Sequence, residues 1–233
     1  METYLARTAG ELRTSVPAEE KTAYMACHFS LYTTGLSNTP DSLPQGSMLI
    51  LNDQIPICGH DPHRIANQLQ ETIEKFSCDS LLLDFQRPGN EETARLCHLL
   101  AAELNCPLGI SHHYAQDLDC AVFLPPPPLD VPLGEYIKPW QGRKIWLEAA
   151  LEAAEFTVTT DGCKVTSLPY DFSQDNTFIE ESLHCRYRCE VDSDKIRFLL
   201  YRTIDQLNAL LEESATLGIE RSIGLYQQLG RLY

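Results

Sequence analysis

The stretch Asp79-Ser80-Leu81-Leu82-Leu83-Asp84-Phe85-Gln86 decides how this chain is read. Three consecutive leucines with no charge between them read as a strand buried on both faces, the pattern of a parallel sheet sheathed by helices. Strand alternation puts Leu82, Asp84 and Gln86 on one side and Leu81, Leu83 and Phe85 on the other. Polar groups therefore follow apolar ones at the carboxyl end of the strand. Pro88-Gly89-Asn90 breaks the run, and residues 91–104 read as a helix with Glu91 and Glu92 in its first turn, where the helix dipole favours acid.

The same alternation repeats on both sides of this stretch. Residues 24–30, 47–51, 108–111, 120–124 and 144–147 read as short apolar strands. Asp61-Pro62 opens a helix whose Ile65, Leu69, Ile73 and Phe76 recur near the helical period. Pro125 to Pro128 forbid both a continuing helix and a central strand. A short helix is expected over 133–139. Asp161-Gly162, between 156–160 and 163–168, is a hairpin signal, and 184–191 reads as a final strand. Ile196, Leu199, Leu200, Ile204, Leu207 and Leu211 predict a long helix over 194–213, with a second helix ending at Leu229.

Strands alternating with helices argue for an α/β chain with a parallel sheet. About six to eight strands in a chain near the roughly 250-residue norm fit a (β/α)8-type, TIM-like barrel. It would be abbreviated or irregular, with a β-hairpin insertion and C-terminal helices. The chain is expected to be one domain, 1–233, with 1–22 as an N-terminal extension. An open doubly wound sheet is the alternative, but no glycine-rich phosphate fingerprint follows any strand.

With 18 Lys and Arg against 33 Asp and Glu, the net charge is −15, which disfavours nucleic acid and anionic membrane surfaces as partners. No apolar run reaches the roughly 18 residues of a membrane span, and residues 1–16 lack the apolar stretch of a signal peptide. Nine irregularly spaced cysteines without a CxxC read as reduced thiols, which places the chain in the cytoplasm.

In barrels of this type chemistry collects at the carboxyl ends of the strands. Those ends carry Ser30 and Tyr32, Asn52 and Asp53, Asp84, Gln86 and Arg87, His112, His113 and Tyr114, Glu148, and Glu190. Glu148 shares strand parity with Trp146, so an aromatic platform and a carboxylate are expected to face one cavity. An ion pair with Arg87 or Arg143 is the alternative use for Glu148.

The run from Asp79 to Gln86 resembles the active-site strand of chitinase-like glycoside hydrolases, Asp-Gly-x-Asp-x-Asp-x-Glu on a (β/α)8 barrel. Asp79 matches the first aspartate and Asp84 the last. Leu82 stands in place of the middle aspartate, and Gln86 in place of the glutamate that protonates the glycosidic oxygen in that family. The resemblance implies a carbohydrate or other polyhydroxylated ligand. Because an amide has no acidic proton to give, it also implies weak or no chitinase-type activity. Gln86 still offers hydrogen bonds to a sugar hydroxyl.

If glycosides are hydrolysed, the acid/base pair is expected to be Asp84 with Glu148 or Asp53, since two carboxylates flanking the bond suffice. Gln86, Tyr32, His112, Tyr114, Trp146 and Arg87 would line the ligand site. No cofactor is expected. Cys58, His60, Asp61 and His63 cluster in sequence, but Asp61 also suits a helix start, and no metal site is expected there. Serine or cysteine nucleophiles at Ser30, Ser111 or Cys27 lack a supporting motif. Two further functions stay open: a non-catalytic acidic scaffold, and a metal-dependent hydrolase using His112, Asp84 and Asp53.

Overall fold

The computed structural model describes residues 1–13, 20–169 and 177–230. Its elements in chain order are β1 (Glu2–Arg7), β2 (Thr22–Phe29), β3 (Leu36–Ser37), β4 (Met48–Asn52), α1 (Pro62–Phe76), β5 (Ser80–Asp84), α2 (Glu91–Glu103), β6 (Leu108–Ser111), β7 (Ala121–Leu124), α3 (Leu133–Ile137) and β8 (Ile145–Glu148). Then follow β9 (Ala153–Thr159), β10 (Gly162–Ser167), β11 (Phe178–Glu180), β12 (Cys185–Val191), β13 (Ile196–Tyr201), α4 (Ile204–Thr216), β14 (Arg221–Leu225) and α5 (Tyr226–Leu229).

Parallel pairing runs β1-β14-β8-β7-β6-β5-β4-β2, and β2 returns to β1, so these eight strands close a barrel. β3 lies antiparallel on β2. Alternation sorts the side chains as the leucine triplet predicts. Leu82 joins Tyr4, Ala6, Met48, Ile50, Phe123, Trp146 and Ile223 inside the ring. Leu81 and Leu83 face outward with Leu49, Leu51, Ile110 and Leu147, against the helices. Each face buries apolar area worth roughly 25 cal/mol per Å2, so a one-residue slip of register would be costly.

The helices begin where the sequence sets caps. The Asp61 carboxylate accepts from the amides of His63 and Arg64 at 3.0 and 3.3 Å, with Pro62 as first helical residue. Asn90 caps α2 in the same way, accepting from Glu92 and Thr93 at 2.9 and 3.2 Å. No helix joins β6 to β7, so the barrel is abbreviated on that side, and between β1 and β2 the described residues hold only a 3-10 turn at Glu11–Arg13.

Three expectations are corrected. Residues 2–7, read as part of an extension, are a barrel strand paired on both sides. The helix expected over 194–213 divides into β13 and α4, because residues 196–201 pair with both β12 and β9, partners that local periodicity cannot see. The terminal helix is one turn, and β14 before it closes the barrel.

The Asp161-Gly162 hairpin is present as β9 and β10, with Gly162 at φ +137. It belongs to a larger antiparallel sheet, order β10-β9-β13-β12-β11, inserted between the seventh and eighth barrel strands. The strand at 184–191 is in that sheet and not in the barrel. Glu190 is therefore no barrel strand end; it pairs with Arg188 and Arg197 at 3.1 and 2.8 Å.

Candidate active site

β5 ends at Asp84 and β8 at Glu148, and parity turns both side chains to the inside of the barrel mouth. Two lobes of about 480 and 460 Å3 open there, and both are lined by Asp84, Gln86, Phe123 and Glu148. The first lobe adds His28, Asn52 and Asp53 from the ends of β2 and β4, and Asn38 from just after β3. The second adds Ser111, His112, His113 and Glu152. These four shared residues form the waist of one cleft.

The two central carboxyls are unusual acids. Burial pushes Asp84 up to about 6; the Gln86 amide, 3.4 Å away, pulls it down and the charge on Asp53 pushes it up again. Burial likewise pushes Glu148 up to about 7, and the charges of Asp84 and Glu152 add to the shift. No side-chain hydrogen bond or ion pair reaches Glu148 among the described residues. Arg87 is turned to the Gln54 carbonyl and Arg143 to the carbonyls of Ala115, Gln116, Leu118 and Cys120, so neither neutralises it.

Asp53 is differently employed. Its two oxygens accept from the backbone amides of Gln86 and Arg87 at 3.2 and 2.9 Å, which holds the chain leaving β5 in place. Both of its oxygens are thus engaged by the backbone. Glu152, which sequence reasoning missed, reaches the second lobe from the loop after β8. It is paired at 2.9 Å with Arg202, itself 1% exposed. The spacing in Glu148-Ala149-Ala150-Leu151-Glu152 suggests a helical face and hides this role.

The remaining expected residues separate. His112 lines the second lobe, stacked on His113 at 3.8 Å and edge-on to Trp140, and burial lowers its pKa. Gln86 lies at the waist. Trp146 is no platform: it is 1% exposed and packed against Gly109, where a Cβ would sit 2.2 Å from its ring. It fills the barrel beneath the cleft. Tyr32 is 93% exposed and lines neither lobe.

The Tyr114 hydroxyl donates to the Arg87 carbonyl and accepts from the Asn90 amide, so it pins the loop after β5 and lies outside the cleft lining. Phe85 faces outward, stacked on Phe29, and with Trp146 below, neither aromatic plugs the mouth.

Ser30 and Ser111 are no nucleophiles. The Ser30 hydroxyl accepts from the amides of Tyr32 and Thr33, and Ser111 bridges the Leu83 carbonyl and the Phe85 amide. Cys27 is buried and its thiol is pushed up to about 12. Asp61 serves as a cap, and His60 spans the Cys58 amide and the Ser30 carbonyl. Among the described residues no three His, Cys, Asp or Glu side chains are grouped to hold a metal. No described helix is long and apolar enough to cross a membrane.

No known family model matches the chain, and no curated protein does. Solved structures do. A glycoside hydrolase family 18 chitinase from Cycas revoluta, a mutant in complex with (GlcNAc)4, superposes with TM-score 0.62 at 10% identity, over 98% of this chain and 96% of that one. A family 18 N-acetylglucosaminidase from Paenibacillus barengoltzii gives 0.59 at 9%, covering 96% and 94%. The spore cortex-lytic enzyme SleL of Bacillus cereus gives 0.57 at 11%, covering 96% and 70%. The chain thus shares with these enzymes the fold of a (β/α)8-type TIM barrel, with an antiparallel sheet set before its last strand.

Proposed function

We propose that the chain binds a carbohydrate or other polyhydroxylated ligand across the cleft at the barrel mouth, with weak or no chitinase-type hydrolysis. The observation that carries this reading is that Asp84, Gln86 and Glu148, from two different strands, line both lobes of one open cleft. A polar floor under a cavity of this size suits a ring bearing several hydroxyls. The (GlcNAc)4 complex of the Cycas revoluta chitinase supports a saccharide as the ligand class. Gln86 supplies a hydrogen-bond donor and acceptor but no acidic proton. The test is calorimetric titration with GlcNAc and glucose tetramers, with product analysis after long incubation. Binding without rapid cleavage is expected, and failure of every saccharide to bind overturns the reading.

A second reading, glycoside hydrolysis by a carboxyl pair, is favoured by the difference between the two acids. Burial raises both carboxyls, Glu148 to about 7 and Asp84 to about 6, which makes Glu148 the proton donor of this reading and Asp84 the base. Glu148 would give its proton to the leaving glycosidic oxygen. Asp84 would take one from the water that adds to the anomeric carbon. Asp53, engaged with two amides, is left out of the pair. A bell-shaped rate profile peaking between pH 6 and 7 and lost in both Asp84→Asn and Glu148→Gln is expected. A profile untouched by both variants would exclude the pair.

A further inference from the structure

The acids of the cleft differ in what neutralises them. Asp53 is satisfied by backbone amides and Glu152 by Arg202. Asp84 has only the Gln86 amide at 3.4 Å, and Glu148 has no side-chain partner among the described residues. Neither lobe is lined by Lys or Arg among those residues.

The imidazoles are engaged with neighbours. His28 contacts the Asn38 amide through Nε2 at 3.0 Å and the Phe29 carbonyl through Nδ1 at 2.7 Å. Burial and the neighbouring His113 oppose a charge on His112. The Tyr136 phenol, near Glu148 and Glu152, donates to the Pro125 carbonyl. Among the described residues the waist thus has two acids and no Lys or Arg.

We propose that the ligand of this cleft carries a free primary amine, an amino sugar in preference to its N-acetylated or uronic counterpart, with the ammonium seated between Asp84 and Glu148. The proposal rests on the saccharide reading above and narrows it. Buried acids without a countercharge are costly, and the unliganded cleft relieves that cost by leaving a proton on Glu148. An ammonium offers three donors to the two carboxylates and replaces that proton. A neutral sugar leaves the proton where it is, and a uronate adds a further negative charge. The three ligand classes therefore differ in proton count as well as in affinity.

The experiment titrates the full chain, Asp84→Asn and Glu148→Gln with glucosamine tetramer, its N-acetylated counterpart and cellotetraose. It is run near pH 6.5 in two buffers of different ionisation enthalpy. The amine tetramer should bind about tenfold or more tightly than either neutral tetramer, and the proton leaving Glu148 should appear as a release beyond what the amine itself takes up, read as the difference from Glu148→Gln. Both effects should vanish in Glu148→Gln and weaken in Asp84→Asn. Thermal melts of the variants check that they fold.

Equal affinity for amine and neutral tetramers, or an amine preference that survives both substitutions and so belongs to the acidic surface, overturns the amine proposal. In either case the saccharide reading stands. If no tetramer binds the unsubstituted chain, the saccharide reading itself falls.

Discussion

The two ends of the barrel treat acids in opposite ways. At the amino ends of the strands, Asp79 accepts from the Tyr4 hydroxyl at 2.6 Å and pairs with Lys21 and Arg221, each at 3.3 Å. Glu2 pairs with Lys21 at 2.7 Å, and that hydrogen bond holds its carboxyl below the usual range. At the carboxyl ends, Asp84 and Glu148 pair with no cation among the described residues and are pushed up by burial. The two aspartates bracket β5. One end is built for stability, and the other carries destabilised groups of the kind that functional sites accumulate.

The largest expected effect tests what separates the two ends. Trp146→Ala should cost about 3–5 kcal/mol in urea unfolding, because the ring fills the barrel beneath the cleft. A sugar platform would instead lose affinity at little cost in stability. At the paired end, Asp79→Ala should cost about 2–3 kcal/mol, since it strips the Tyr4 hydroxyl and Arg221 of their shared acceptor. A loss below about 0.5 kcal/mol would remove the distinction between the ends.

At the unpaired end the sign reverses and depends on pH. The folded state holds the Glu148 proton more tightly than the unfolded chain does. Stability therefore falls as pH rises from about 4.5 to about 7, with the full cost present above that window. Glu148→Gln should stabilise the chain by about 1–3 kcal/mol at pH 8 and leave it nearly unchanged at pH 4. Equal effects at both pH values would mean that Glu148 is not a strained acid.

The smallest stability effect belongs to Gln86→Glu, which sets a second carboxylate beside Asp84. A loss of roughly 1 kcal/mol or less at pH 7 is expected at this exposed position, with a gain of chitinase activity. A folded variant without that gain would show that more than the missing acid keeps the cleft from hydrolysing chitin.

Much of the barrel was legible because its strands are short, apolar and fully buried, as in Leu81-Leu82-Leu83. Parity along β5 and β8 correctly pointed Asp84 and Glu148 inward. What stayed hidden depended on distant partners. β1 looks like a loose terminus until β14 pairs with it, and residues 196–201 carry a helical spacing that two neighbouring strands override. Tyr32, Tyr114 and Trp146 illustrate the same limit, since an aromatic near a strand end has no direction until its surroundings are placed.

The amino-acid sequence alone determined the alternation of buried strands and capped helices, and which side of each strand its polar groups occupy. These follow from local periodicity and local hydrogen bonding. Only the tertiary structure decided which acids are neutralised, because Asp53 meets amides, Glu152 meets Arg202 and Asp79 meets Arg221 across long stretches of chain, whereas Glu148 meets no cation among the described residues.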